Sequence, residues 1–206
     1  QKFEEAFSYY SIAMDILNYN NYKEEKIKVY NNMGICMLRL LRYDEAIYYF
    51  NSAIVFCNSA KVFDVYLRAL HNLALAYASI HKLDDALSTV HRAYEKINKQ
   101  TNKALYVKFK IIEASCYDYK EDLQRCIEVY RELLTEKEEI DDVLLGTIYN
   151  NIAIVMLRNK NYKESEAFFE RAYMLRYEKA PETISHVIIE SAALYYEMVY
   201  MDKFYS

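Results

Sequence analysis

Small and apolar residues recur along the chain in a fixed frame with a period of about 40 residues. In the clearest copy, Gly34 is followed by Ala46, Phe50 and Ala53 at helical spacings. Residues three and four apart share one face of a helix, so each copy predicts two helices packed as an antiparallel pair. The residues aligned with Ala46 in the other copies are Ala6, Ala86, Cys126, Ser165 and Phe204.

These copies predict a single all-α repeat domain over residues 1–206. One helix pair exposes an apolar face when it stands alone, so neighbouring pairs must stack to bury that face. The expected units are a half repeat over 1–17, repeats over about 25–57, 65–98, 105–136 and 144–177, and a last partial repeat over 184–206.

The third full repeat departs from this frame. Lys110 and Glu113 occupy positions that carry tyrosine, leucine, methionine or isoleucine in the other copies. Charged side chains are almost never fully buried unless they are paired. This unit is therefore expected to pack more loosely than the others or to be locally rotated.

The amino-acid composition also indicates an all-α fold. The chain has two glycines and one proline, whereas an ordinary chain of this length has roughly 14 and 10. So few turn residues exclude a many-stranded sandwich or barrel and a glycine-rich phosphate loop. Gly34 is instead expected to mark a close contact between two helices.

Charge and cysteine usage exclude further classes of function. The formal net charge of −4 gives no general reason to expect nucleic-acid binding. No apolar run reaches the roughly 18 residues of a membrane span, and the first residues show no signal-peptide pattern. The four cysteines form no C-x-x-C pair, so we expect free thiols and a cytoplasmic location rather than a disulfide framework. Because the chain opens with Gln1, it is expected to be part of a longer product.

The residues of the frame resemble the tetratricopeptide repeat (TPR), and the resemblance covers almost the whole chain. It rests on Gly34, Met37, Ala46, Phe50 and Ala53 and on their aligned copies. It implies a right-handed superhelical solenoid of antiparallel helix pairs, whose first helices line a concave surface. The period exceeds the usual value of roughly 34 residues. Long repeats of this kind resemble those of peptide-pheromone sensors of Gram-positive bacteria, and they also occur in some eukaryotic scaffold proteins.

Asparagines are the most informative candidates for ligand contact on the first helices. Asparagine is a poor residue inside a helix, yet Asn31, Asn32, Asn72, Asn150 and Asn151 fall in the same two slots of three repeats. A side-chain amide offers both a donor and an acceptor, which suits the backbone of an extended peptide. The alternative is hydrogen bonding between neighbouring repeats, together with a compositional bias toward Asn, Lys and Tyr.

Basic residues accompany the asparagines on the same predicted face. They favour a peptide with an acidic group or a free carboxylate, although ordinary solvated charge is the alternative. Only Asn72 and Lys108 match the carboxylate clamp of chaperone-binding members of the family, so that clamp is not expected. Most tyrosines are expected in the core. The predicted peptide-binding residues are Lys28, Asn31, Asn32, Arg39, Arg68, His71, Asn72, Lys108, Tyr119, Asn150, Asn151 and Arg158.

Catalysis is not expected. The four histidines, His71, His81, His91 and His186, lack the spacing of metal ligands on a helix. No cysteine lies in a nucleophile motif. We therefore expect no enzymatic activity, no metal and no cofactor.

The resemblance implies three functions, all based on binding a short peptide or an extended segment of a partner protein. The first is the sensor part of a bacterial transcriptional regulator, which binds a signalling peptide in its concave groove. Such a protein would contact DNA only through a segment absent from this chain, and homodimers are common among such regulators. The second is a stand-alone module that binds and inhibits a partner protein. The third is a structural scaffold, and none of the three involves a membrane.

Overall fold

A computed structural model describes residues 2–20, 22–56 and 63–179. Over these ranges the chain forms nine α-helices and no strand, which confirms the all-α, TPR-like class. The predicted last partial repeat, Cys57 and His186 lie outside the described residues. The helices are α1 (Lys2–Asn20), α2 (Lys23–Arg39), α3 (Tyr43–Phe56), α4 (Phe63–Ser79), α5 (Leu83–Tyr94), α6 (Lys103–Tyr119), α7 (Leu123–Thr135), α8 (Asp142–Arg158) and α9 (Tyr162–Lys179).

The chain divides into two compact units, residues 1–120 and 121–206. In the first unit α2 pairs with α3 and α4 pairs with α5, while α1 packs on α2 and α6 packs on α5. The first helices of successive pairs also touch, since α4 contacts both α2 and α6. The first unit therefore holds a row of three neighbouring first helices, α2, α4 and α6.

Gly34 is the close helix contact that the sequence predicts. Ala46, Phe50 and Ala53 of α3 are completely buried. A Cβ atom added to Gly34 would lie 2.5 Å from Cε1 of Phe50, well inside van der Waals contact. Only a glycine at this position lets the Phe50 ring lie against the backbone of α2.

The second unit contains a similar helix pair, in which a serine replaces the buried alanine. Here α8 pairs with α9, and α7 packs on α8. Ser165 stands where the first pair has Ala46, and its buried hydroxyl donates to the carbonyl of Ala153 at 2.7 Å. Gly146 is less crowded, because an added Cβ would lie 3.5 Å from the Arg176 side chain.

The links between paired helices turn without glycine. The first helix of each pair is followed by a residue in the left-handed region, and these residues are Leu41, His81, Glu121 and Lys160, with φ of 60°, 57°, 59° and 59°. At the first link, the N–H of Leu41 donates to the Leu38 carbonyl at 3.1 Å. The N–H of Arg42 donates to the Met37 carbonyl at 2.9 Å, which completes a Schellman motif. The backbone hydrogen bonds thus hold non-glycine residues in a conformation that favours glycine.

Replacing Lys160 with glycine is expected to stabilise the chain by about 0.5–1 kcal/mol. The left-handed conformation costs a residue with a Cβ about 1–2 kcal/mol, and the greater freedom of glycine in the unfolded chain offsets part of the gain. Urea denaturation measures the change. The control is Glu166→Gly, an exposed site within α9, which should lose about 1 kcal/mol. A loss of stability in Lys160→Gly would contradict the prediction.

The charged pair of the third repeat is buried, while the looser packing or local rotation of this unit stays a prediction. Lys110 and Glu113 are 9% and 7% exposed. The Lys110 Nζ atom lies 3.2 Å from Oε2 of Glu113 and 5.2 Å from the centre of the Tyr94 ring. The Tyr94 hydroxyl donates to the same Glu113 oxygen at 2.8 Å. A hydrogen-bonded ion pair with an aromatic neighbour replaces apolar packing between α5 and α6.

Candidate functional site

The row of first helices in the first unit brings three predicted site residues into contact. Asn72 of α4 donates its Nδ2 hydrogen to Oδ1 of Asn31 on α2 at 3.3 Å. The Nδ1 atom of His71 lies 3.3 Å from Oδ1 of Asn72. The ring of His71 meets Phe109 of α6 edge to face, with 5.6 Å between ring centres. We call Asn31, Asn72 and His71 the amide relay, and its contacts with Phe109 connect all three helices.

The residues of the relay differ in their exposure to solvent. Asn31 is 6% exposed, while His71 and Asn72 are half-buried. The Asn31–Asn72 bond is the contact between neighbouring repeats that the alternative interpretation of the asparagines predicts. Asn72 and His71 nevertheless keep part of their surface accessible to a ligand.

The electrostatics of the relay keep His71 uncharged. Burial lowers the pKa of His71 below its usual 6.5, although the hydrogen bond with Asn72 opposes the shift; the nearby Lys108 charge also lowers it. Because an amide oxygen only accepts hydrogen bonds, Nδ1 of His71 must carry the proton in this contact. The neutral ring thus presents Nδ1–H to Asn72.

The stability of the chain is expected to fall as the pH drops below about 6.5. The pKa of His71 is lower in the folded chain than in the unfolded chain, so the unfolded chain takes up the proton first on acidification. Urea denaturation at about pH 7.5 and about pH 5.5 measures the effect. Wild type should lose more free energy of unfolding between these conditions than His71→Asn, which cannot titrate there. Equal losses in the two proteins would contradict the assignment.

The predicted basic residues of the first unit differ in how freely they could meet an acidic ligand. Lys28, Arg39 and Lys108 are exposed. The guanidinium of Arg68 forms an ion pair with Asp64, one turn earlier in α4. That pairing leaves Arg68 less able to meet an acidic ligand than the other three.

The remaining predicted residues are not part of the relay. Asn32 is half-buried on α2. Tyr119 is 50% exposed, and its ring meets His81 edge to face at 5.1 Å. In the second unit the predicted residues lie on α8, where Asn150 is buried, Asn151 is half-buried and Arg158 is exposed.

The second unit also contains a cleft that the sequence does not predict. Its volume is about 660 Å³. Apolar residues and charged residues of both signs line it. The lining residues are Lys137, Glu138, Ile140, Asp142, Leu145, Tyr149, Glu170, Arg171, Met174 and Leu175.

Sequence reasoning missed the contribution of Phe109. This ring is completely buried and supports His71 from the neighbouring helix. The adjacent Lys108 is exposed and was the residue that the pattern selected. An apolar residue inside a helix gives no local signal that it orients a polar group 38 positions earlier in the chain.

The next candidates for chemistry are possible metal ligands and the cysteine thiols. Across residues 2–20, 22–56 and 63–179, no group of three His, Cys, Asp or Glu residues could hold a metal ion. Cys36, Cys116 and Cys126 are buried and form no disulfide, as expected. Burial raises the pKa of Cys36, and burial together with the Glu113 charge raises the pKa of Cys116 to about 11. Both thiols therefore stay protonated at neutral pH. Among the described helices, none is both long and hydrophobic enough to cross a bilayer.

Solved structures share the fold of the chain. No protein-family model and no curated protein sequence matches it. BtubC (BKLC) from P. vanneervenii superposes with a TM-score of 0.74 at 15% identity, over 95% of this chain and 84% of that one. NprR in complex with its cognate peptide NprX superposes with a TM-score of 0.65 at 19% identity, over 96% of this chain and 61% of that one.

A third solved structure is that of a tetratricopeptide repeat protein. YrrB, a TPR protein with an unusual peptide-binding site, superposes with a TM-score of 0.54 at 12% identity, over 86% of this chain and 80% of that one. Likeness at these identities concerns the fold. Together with the repeating frame around Gly34 and Phe50, it shows that the chain has the helix-pair fold of tetratricopeptide repeat proteins.

Proposed function

We propose that this chain is a peptide-binding module that holds an extended peptide against the first helices of its first unit. The observation that carries the proposal is the amide relay, in which a half-buried asparagine is fixed by hydrogen bonds on both sides. A fixed amide can bond both groups of a peptide backbone without the entropy cost of ordering it at binding. The shared fold with NprR bound to its peptide, and with YrrB, supports the same assignment.

The charges of the first unit favour an acidic peptide. Lys28, Arg39 and Lys108 are exposed cations on α2 and α6. Exposed charges steer and select a ligand more than they tighten its binding. The peptide is therefore expected to carry a carboxylate, and its affinity should fall as the salt concentration rises.

In the second unit, we assign peptide contact to Asn151 and Arg158 of α8. Asn151 is half-buried and Arg158 is exposed, so both reach the surface. Asn150 is 4% exposed and would act only by supporting its neighbour.

The more specific proposal is the sensor part of a bacterial transcriptional regulator that responds to a short signalling peptide. The period of about 40 residues and the fold shared with NprR support it. The peptide would stabilise one of two arrangements of the helix pairs, and the shift in population would be the signal. DNA would be contacted through a segment absent from this chain. The alternative, a module that binds an extended segment of a partner protein, uses the same surface.

Calorimetry with short peptides selected from an arrayed acidic library tests the binding proposal. Asn72→Ala should weaken the best peptide about tenfold, because one or two hydrogen bonds are lost. Asn151→Ala tests the second unit in the same way. The matched control is Asn18→Ala, an exposed asparagine of α1, which should bind like wild type. Unchanged affinity in both Asn72→Ala and Asn151→Ala would rule out the assigned surface.

A further inference from the structure

We propose that His71 is a positioning residue, which fixes the amide orientation of Asn72 and thereby the direction in which a peptide backbone binds. The inference rests on the proposed function, because it concerns the same surface. It gives His71, one of the predicted peptide-binding residues, a role that requires no contact with the peptide.

The relay has a defined polarity. His71 presents Nδ1–H to Oδ1 of Asn72, and Asn72 presents Nδ2–H to Oδ1 of Asn31. Turning the Asn72 amide alone would place two oxygens against each other at the Asn31 end. It would also place two N–H groups against each other at the His71 end. Only a concerted reversal of both amides and of the imidazole tautomer restores the bonds.

The tautomer of His71 therefore determines which way the Asn72 amide points. The His71 ring packs edge to face with the buried Phe109, and this contact helps to hold it in place. The Lys108 charge and the burial of the ring both disfavour a second proton on it. The imidazole is thus a neutral donor with a fixed direction.

A fixed amide leaves a fixed pair of groups for a ligand. An asparagine side chain has two N–H donors and an oxygen with two acceptor sites. The relay uses one donor and one acceptor of Asn72. The remaining donor and acceptor match the C=O and N–H of one peptide backbone segment. In the opposite chain direction, the backbone would face donor with donor and acceptor with acceptor.

Nuclear magnetic resonance of the ligand-free chain tests the first half of the inference. With ¹⁵N-labelled histidine, His71 should appear as the neutral Nδ1–H tautomer. His71→Asn keeps an N–H donor near the position of Nδ1, and His71→Leu removes it while filling similar space. The Asn72 amide proton that bonds Asn31 should keep a hydrogen-bonded shift in His71→Asn and move toward the shift of a solvated amide in His71→Leu. An Nε2–H tautomer in wild type would overturn the inference.

Binding of a selected peptide and of its reversed sequence tests the second half. Wild type and His71→Asn should prefer the selected peptide, with affinities that agree within about threefold. His71→Leu should bind it about tenfold more weakly and lose most of the preference over the reversed sequence, because the amide is no longer fixed. Equal affinity and preference in His71→Leu and wild type would overturn the inference and leave the proposed function standing. Failure of wild type to bind any peptide would overturn both.

Discussion

Replacing Gly34 with alanine is expected to destabilise the chain by about 1–3 kcal/mol. The new methyl group would lie 2.5 Å from the ring of Phe50, which is completely buried. The helices α2 and α3 would have to separate, and the loss of packing would exceed the roughly 1 kcal/mol that alanine gains over glycine in a helix. Urea or thermal denaturation measures the change.

Gly146→Ala is the matched control for this prediction. Gly146 also lies inside a first helix, but its added Cβ would make an ordinary contact at 3.5 Å with a flexible arginine. The helix propensity of alanine should then dominate and stabilise the chain by about 0.5–1 kcal/mol. The account of Gly34 would be wrong if both replacements changed stability in the same direction.

Replacing Glu113 with leucine is expected to destabilise the chain by about 3–5 kcal/mol, because it breaks the buried ion pair with the Lys110 ammonium. The Tyr94 hydroxyl loses the same oxygen as an acceptor. The comparison is Glu45→Ala, which breaks an exposed ion pair with Arg42. That variant should change stability by no more than about 1 kcal/mol. Denaturant unfolding of both variants gives the difference.

The double variant Lys110→Leu/Glu113→Leu distinguishes the effect of breaking the ion pair from the effect of changing the packing at these two positions. It installs the residues that the second repeat carries at the aligned positions, Leu70 and Leu73. Both of those leucines are buried in the core. Well-packed apolar residues often replace a buried ion pair without loss, so the double variant should recover most of the stability. A double variant as unstable as Glu113→Leu would show that the cost comes from changed packing rather than from the broken ion pair.

The packing of the helix pairs was predictable from the sequence because it depends on residue size at fixed spacings. Ala46, Phe50 and Ala53 stand in the frame, and the structure buries all three completely. Gly34 could be assigned to a close contact for the same reason. Residue size and spacing along the chain can both be taken directly from one amino-acid sequence.

Contacts between separate helices were not predictable in the same way. Glu113 meets Tyr94 across two helices and 19 positions, and no local pattern marks that partner. The left-handed residues Leu41 and Lys160 are chosen by the hydrogen bonds that end a helix rather than by their own preference. A count of glycines therefore excludes sheets but does not locate these turns.

The candidate site was predictable as a set of residues and not as an arrangement. The slots of Asn31 and Asn72 follow from helical periodicity, which places them on neighbouring first helices. Their mutual hydrogen bond and the burial of Asn31 depend on how closely α2 and α4 approach. The contact of His71 with Asn72 depends on a tautomer, and the sequence does not specify it.

A crystal structure of the chain with its best-binding peptide tests the central claim most directly. The account predicts that a backbone N–H and a backbone C=O of the peptide lie about 2.7–3.2 Å from Oδ1 and Nδ2 of Asn72. The Asn72 bonds to Asn31 and His71 should remain in place. A peptide bound against α3 and α5, with Asn72 untouched, would contradict the account.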